Sequence, residues 1–157
     1  MKIIKAMKND IQTLMSIRME MLRVVNDLSD DSTFDENFKH STREYFENAD
    51  QTTVLALDGE EAVGCATICY IDILPTFDHP TGKRAHVMNV YTRKEYRRQG
   101  IALEMMKFLI DEAKDRGVTE ISLDATKAGR PLYERCGFES NAEGMVLEMK
   151  GKLRYSI

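Results

Sequence analysis

The sequence predicts a mixed α/β fold, with a mixed sheet carrying helices on both faces. Three observations predict it. Two β-branched, apolar runs at 52–57 and 62–74 flank Asp58-Gly59, a dipeptide whose tolerance of positive φ signals a hairpin and hence antiparallel strands. A strand-like run at 85–92 and an alternating run at 119–125 are separated by a long helical pattern, which implies a strand–helix–strand crossover. The full order reads strand, two helices, three strands, helix, strand, helix, strand, with no repeat, low-complexity tract or linker, so residues 1–157 read as one domain.

In order along the chain, residues 2–6 read as a short edge strand. Asp10 is placed to cap a helix whose apolar stripe is Ile11, Leu14, Met15, Leu22 and Val25. The acidic segment 26–32 reads as a loop. A second helix spans 36–48, offering Phe38, Tyr45 and Phe46 for packing. After the hairpin, two prolines and a glycine make 75–83 a loop. The helix that follows Gly100 has the clearest pattern. Ala102, Met105, Met106, Leu109 and Ala113 share one face, and Glu104, Lys107, Asp111 and Asp115 the other. Gly117 stops it. A short helix at 131–136 starts on Pro131 and ends at Gly137. Residues 145–149 read as a last strand.

Composition excludes several classes. The chain has 157 residues, 43% hydrophobic and 31% charged, which suits a folded domain with a core. No apolar run is long enough for a membrane span, and the lysine-rich start lacks a signal-peptide core, so no membrane partner is expected. Three cysteines, Cys65, Cys69 and Cys136, form neither a disulfide framework nor, without a Cys-x-x-Cys pair or clustered histidines, a metal site. They point to a reducing, cytoplasmic setting. A net charge of -4 argues against a nucleic-acid partner.

Chemistry concentrates in Arg97-Arg98-Gln99-Gly100-Ile101-Ala102, which joins the strand Val87-Met88-Asn89-Val90-Tyr91 to the clearest helix. A glycine at such a junction lets backbone N–H groups approach a ligand, and the helix start behind it is partially positive. The pair makes a phosphate or pyrophosphate site. Arg93, Lys94, Arg97 and Arg98 add local positive charge. Downstream stands Leu132-Tyr133-Glu134-Arg135-Cys136-Gly137-Phe138. The chain lacks Gly-x-Gly-x-x-Gly and any Gly-Lys-Ser/Thr, which disfavours dinucleotide and P-loop chemistry.

Arg-x-x-Gly-x-Ala followed by Leu-Tyr-x-x-x-Gly-Phe resembles the two-part signature of the GNAT superfamily of N-acyltransferases, and the element order matches along nearly the whole chain. The resemblance implies a central mixed, largely antiparallel twisted sheet of six to seven strands flanked by about four helices. It implies acetyl-CoA as acyl donor and direct transfer of acetyl to a primary amine of a small molecule or peptide. By the same resemblance, the N–H groups of Gln99, Gly100, Ile101 and Ala102 face the pyrophosphate with Arg97 and Arg98 nearby. The strand residues Asn89, Val90, Tyr91 and Thr92 serve the pantetheine arm, and an N–H at or near Val90 meets the acetyl carbonyl. Tyr133 is the general acid for the departing thiolate.

Some members carry a glutamate base on this strand; the position counted back here holds His86, a residue able to accept a proton near neutral pH. Glu61, Asp72 and a water relay are the alternatives. Thr126 and Gly129 stand where the family commonly has Asn and Ala, leaving Thr126 and Arg130 as further cofactor contacts. The acceptor site is expected among the 26–34 loop, the second helix and the 75–84 loop. There Asp27, Asp30, Asp31 and Asp78 would attract an amine, and Phe34, Phe38, Tyr70 and Phe77 would wall it. The contrasting functional class is an acyl-CoA-binding sensor or regulatory module without turnover. The sheet edge and the 153–157 tail are compatible with a homodimer.

Overall fold

A computed structural model describes residues 1–149. The strands β1 (Lys2–Lys5), β2 (Gln51–Asp58), β3 (Glu61–Asp72), β4 (Lys83–Thr92) and β5 (Glu120–Leu123) lie side by side in that order. Neighbours are antiparallel except β4 and β5, which run parallel. The helices are α1 (Ile11–Val25), α2 (Glu36–Asn48), α3 (Ile101–Asp115) and α4 (Arg130–Arg135).

Two apolar layers sandwich the sheet. On one face Ile101, Met105, Met106, Leu109 and Ala113 of α3 meet Val54, Ala56, Val63, Ala66, Ile68, Ala85 and Val87, with Leu132, Tyr133 and Phe138 at the margin. On the other, Leu14, Ile17 and Met21 of α1 meet Leu55, Cys65 and Tyr91, with Phe46 of α2 alongside. The buried stripe of α1 is thus centred on 14, 17 and 21. Val25, expected inside, is 65% exposed.

Three helices end in the same hydrogen-bond pattern. Val118 N–H reaches Ala113 O and Gly117 N–H reaches Lys114 O; Phe138 and Gly137 repeat this on Tyr133 and Glu134, and Leu28 and Asp27 on Arg23 and Val24. The residue at the turn needs positive φ, and it is Gly117 (77°), Gly137 (94°) and Asp27 (53°). The two glycines are legible stops; Asp27 does the same work without the usual residue.

Several local expectations are corrected. Asp10 does not cap α1 with its side chain; it accepts a hydrogen bond from Met7 N–H at 2.7 Å and closes the preceding 3-10 turn. The side-chain cap belongs to α2, where Asp35 accepts from Asn37 and Phe38 N–H. Asp58 pairs with Glu61, so the hairpin turn is Gly59-Glu60 and only Gly59 has positive φ. The expected strand at 145–149 is absent: Met145, Val146, Leu147 and Met149 are 68–97% exposed in irregular chain. Its apolar run suits a strand, but β5 is four residues long and these side chains find no apolar surface to cover. The sheet therefore has five strands among the described residues, rather than six to seven. The 153–157 tail lies outside the described residues.

Candidate functional site

A backbone irregularity in β4 shapes the site. Cys65 pairs with Tyr91 but Thr67 with Met88, so Asn89 and Val90 stand opposite the single residue Ala66. Asn89 has φ of 60°, which a non-glycine residue adopts only with support. Its side chain supplies that support: Oδ1 accepts from Arg18 Nη1 at 3.1 Å, and Nδ2 donates to Thr67 Oγ1 at 3.1 Å. Thr67 in turn shares a 2.8 Å hydrogen bond with Thr53. The extra residue reverses which side chains face which layer. Val87 and Val90 contact the α3 layer, whereas Tyr91 joins the α1 layer.

The second feature is a divergence. The β4–β5 ladder runs from Arg84–Glu120 to Val87–Leu123 and stops. From Met88 onward, the β5-facing edge of β4 has no strand partner among the described residues, and a cleft of about 700 Å³ opens there. Backbone groups along a strand need partners, so this edge offers an extended ligand what a neighbouring strand otherwise takes.

The third is the start of α3. Arg98 and Gly100 both have positive φ, 60° and 81°, and no side chain caps the helix. A Cβ on Gly100 would meet nothing within 4 Å, so the ground before the helix is open. The exposed N–H groups and the helix dipole together favour an anion. Arg97 Nε donates to Thr92 O at 2.9 Å, tying this loop to the end of β4. Arg93 faces elsewhere. It holds Glu20 through Nε and Nη2 at 2.8 and 2.9 Å and also pairs with Glu61, so it belongs to the scaffold. That also removes Glu61 from the cleft chemistry. Tyr91 Oη donates to Glu20 at 2.9 Å, and burial with the Glu20 contact raises its pKa to about 12.

Tyr133 forms the far wall. Its ring meets Phe138 edge-on with centroids 6.1 Å apart. Gly129 makes room for it: a Cβ there would lie 3.2 Å from Tyr133 Cε2. Thr126 Oγ1 accepts from Gly129 N–H at 3.1 Å and fixes the turn into α4, which begins at Arg130. The Tyr133 hydroxyl makes no hydrogen bond among the described residues, and burial, then Cys136, raises its pKa above the ordinary phenol value. Tyr133 thus lines the cleft as a protonated phenol. His86 also lines the cleft, with Nδ1 2.8 Å from Ser122 Oγ and Nε2 3.9 Å from Asp124 Oδ2.

The cleft therefore gathers His86, Asn89, Val90, Tyr91, Thr92, Arg97, Arg98, Gly100, Ile101, Ala102, Thr126 and Tyr133. Two expected contacts lie off its wall. The Gln99 side chain donates back to Glu95 O at 3.2 Å, and Arg130 is drawn to Ser140 Oγ at 2.7 Å. Sequence reasoning missed Arg135, which adds a cation, Asp124 beside His86, and Met21, Val24 and Val25 at the mouth.

A smaller cavity of about 210 Å³ lies between α1, α2 and the sheet and shares Met88 and Asn89 with the cleft. Arg18, Phe38, Tyr45, Phe46 and Thr67 complete most of its wall. Of the expected acceptor residues only Phe38 is here. Phe34 packs on Phe38, Tyr70 lies under Arg116, and Phe77 is fully exposed. Asp27, Asp30, Asp31 and Asp78 line neither space.

Comparison with known proteins shows the family and the fold. The model of the acetyltransferase (GNAT) family matches residues 16–138. The chain belongs to that family. It is 23% identical to glucosamine 6-phosphate N-acetyltransferase of Arabidopsis thaliana over 71% of this chain and 74% of that one. It is 32% identical to N-alpha-acetyltransferase 30 of Schizosaccharomyces pombe, over 64% of this chain and 65% of the other. A predicted acetyltransferase from Clostridium acetobutylicum, solved with acetyl-CoA, superposes with a TM-score of 0.80 at 30% identity, covering 94% of this chain and 96% of that one.

Proposed function

We infer that this protein is an acetyl-CoA-dependent N-acetyltransferase that moves acetyl to a primary amine by direct attack. The observation that carries the reading is the convergence, on one cleft, of an unpaired strand edge, an uncapped helix start and an unpartnered tyrosine hydroxyl. Each suits one part of an acyl-CoA. The N–H groups before α3, with Arg97, Arg98 and Arg135, suit the phosphates. The edge at 88–92 suits the amides of the pantetheine arm. Tyr133 suits the sulfur. The Clostridium protein's acetyl-CoA supports the choice of donor.

The chemistry needs a proton removed and a proton supplied. The amine nitrogen attacks the acetyl carbon, and the carbonyl oxygen gains charge that a backbone N–H at or next to Val90 stabilises. The C–S bond then breaks, and Tyr133 gives its proton to the departing sulfur. The proton lost by nitrogen passes to His86 or to water. Held by Ser122 and with Asp124 near its other nitrogen, the His86 ring is oriented. Neither Cys65, which is buried with its thiol raised to about 12, nor Cys136 is required as a nucleophile. The three free cysteines support a cytoplasmic setting.

The test is thiol release with mass spectrometry of amine products over polyamines, amino acids, aminoglycosides and peptides, for the wild type and Tyr133→Phe. The expected result is transfer to at least one amine, with turnover at least about tenfold lower in the variant while acetyl-CoA binding survives. Unchanged turnover in Tyr133→Phe removes the general acid. Binding of acetyl-CoA without transfer to any amine replaces the enzyme reading with that of a sensor.

A further inference from the structure

The small cavity beside the cleft contains an uncompensated cation. Arg18 is partly buried and its guanidinium has one hydrogen-bond partner among the described residues, the neutral amide oxygen of Asn89 at 3.1 Å. No acidic side chain lines the cavity. Burial lowers the Arg18 pKa, and the titratable group that acts on it in the opposite direction is Cys65, a thiol held neutral by its own burial. A guanidinium has five N–H donors and stays charged. The donors that Asn89 leaves free are not sealed from solvent, so they are open to an incoming anion, with which a guanidinium forms a bidentate, charge-assisted pair.

The remaining wall is mostly apolar. Phe38, Phe46 and Met88 surround the space, Ser41, Thr42 and Thr67 add hydroxyls at its margin, and the Tyr45 hydroxyl is buried without a hydrogen-bond partner among the described residues. The volume, about 210 Å³, corresponds to about seven water molecules at ~30 Å³ each. It therefore suits a small molecule or the end of a chain. Its floor is Met88 and Asn89, the residues where β4 bulges and where the acyl group would lie.

We propose that this cavity is the acceptor pocket and that it selects a small amine carrying a carboxylate and an apolar body, such as an aromatic or branched α-amino acid. This rests on the acetyltransferase reading above. The carboxylate completes the guanidinium fork of Arg18, the apolar body lies against Phe38, Phe46 and Met88, and the amine faces the bulge. A polycation is disfavoured by the same charge that attracts the carboxylate. A phosphosugar satisfies the charge but sets its hydroxyls against apolar walls.

The experiment compares kcat/KM for L-phenylalanine, L-phenylalaninamide, glucosamine 6-phosphate and spermidine, using the wild type, Arg18→Met and Arg18→Lys. Acetyl-CoA binding is measured in each to report folding. The wild type is expected to prefer phenylalanine over its amide by at least about tenfold and over the other two amines. Arg18→Met should erase the carboxylate preference, and Arg18→Lys should retain part of it. Equal use of acid and amide, or a preference for spermidine or glucosamine 6-phosphate, overturns the proposal while the acetyltransferase reading stands. So does an equal loss on acid and amide in Arg18→Met, which would make Arg18 a support for Asn89 only. Transfer to no amine at all overturns the acetyltransferase reading and this proposal together.

Discussion

Replacing Asn89 separates the two things it does: it adopts φ of 60° and it ties the β4 bulge to Arg18 and Thr67. Asn89→Gly keeps the backbone freedom and loses both hydrogen bonds. One of these involves a charged donor and the site is buried, so the loss is about 2–3 kcal/mol. Asn89→Ala loses the same bonds and adds a left-handed penalty of about 1–2 kcal/mol. The entropy cost specific to glycine offsets about 0.5–1 kcal/mol of that difference. Alanine should therefore be the less stable variant by about 1 kcal/mol, or about 2–4 °C in Tm for a chain of this length. Urea unfolding and thermal melts read the stabilities, and thiol release reads activity. Both variants should transfer acetyl more slowly, because the bulge sets the backbone next to the acyl group. If Asn89→Ala melts at or above Asn89→Gly, the strain argument for the bulge is wrong.

Other outcomes follow from single observations. Asp27→Gly, at φ of 53° in the cap of α1, should raise stability by about 1 kcal/mol in urea; a loss would show that the aspartate stabilises the cap in another way. Burial alone would raise the Glu20 carboxyl, but hydrogen bonds from Arg93 and Tyr91 and the charges of Arg93 and Arg23 outweigh it and hold its pKa below the ordinary 4.5. A depressed folded pKa gives stability that is present above the unfolded value and lost as pH falls through the folded one. The stability difference between wild type and Glu20→Gln should thus be full at pH 7, about 1–2 kcal/mol for this partly exposed pair. It should shrink below about pH 4.5; a pH-independent difference contradicts the ion pair. His86→Ala should remove the acidic limb of the pH–rate profile, and an unaltered limb assigns the amine's proton to water.

The sheet and its helices were readable because their signals are local and redundant. The α3 face repeats its apolar residues over fifteen positions, and Gly117 marks its end. Arg97-Arg98-Gln99-Gly100 and Leu132-Tyr133 also stood in plain view, since a glycine-bearing loop before a helix and a hydroxyl are properties of short segments. The acceptor side was not legible. Arg18 looks like any exposed helical cation until Asn89, seventy-one residues away, turns it inward. The bulge leaves no mark in Met88-Asn89-Val90, because it arises from register against β3. The acidic loop residues suggested attraction of an amine, yet charge in a sequence carries no direction, and those side chains line neither cavity. The 145–149 segment shows the reverse error: a strand pattern is a statement about side chains, and a strand also needs an edge to join.

The most direct test of the central claim is a crystal structure with acetyl-CoA. The account predicts the pyrophosphate against the backbone N–H groups at the start of α3, the pantetheine arm along the unpaired edge at 88–92, and the thioester sulfur within hydrogen-bonding distance of Tyr133 Oη. A cofactor bound away from Gly100, or a sulfur beyond the reach of Tyr133, would contradict it.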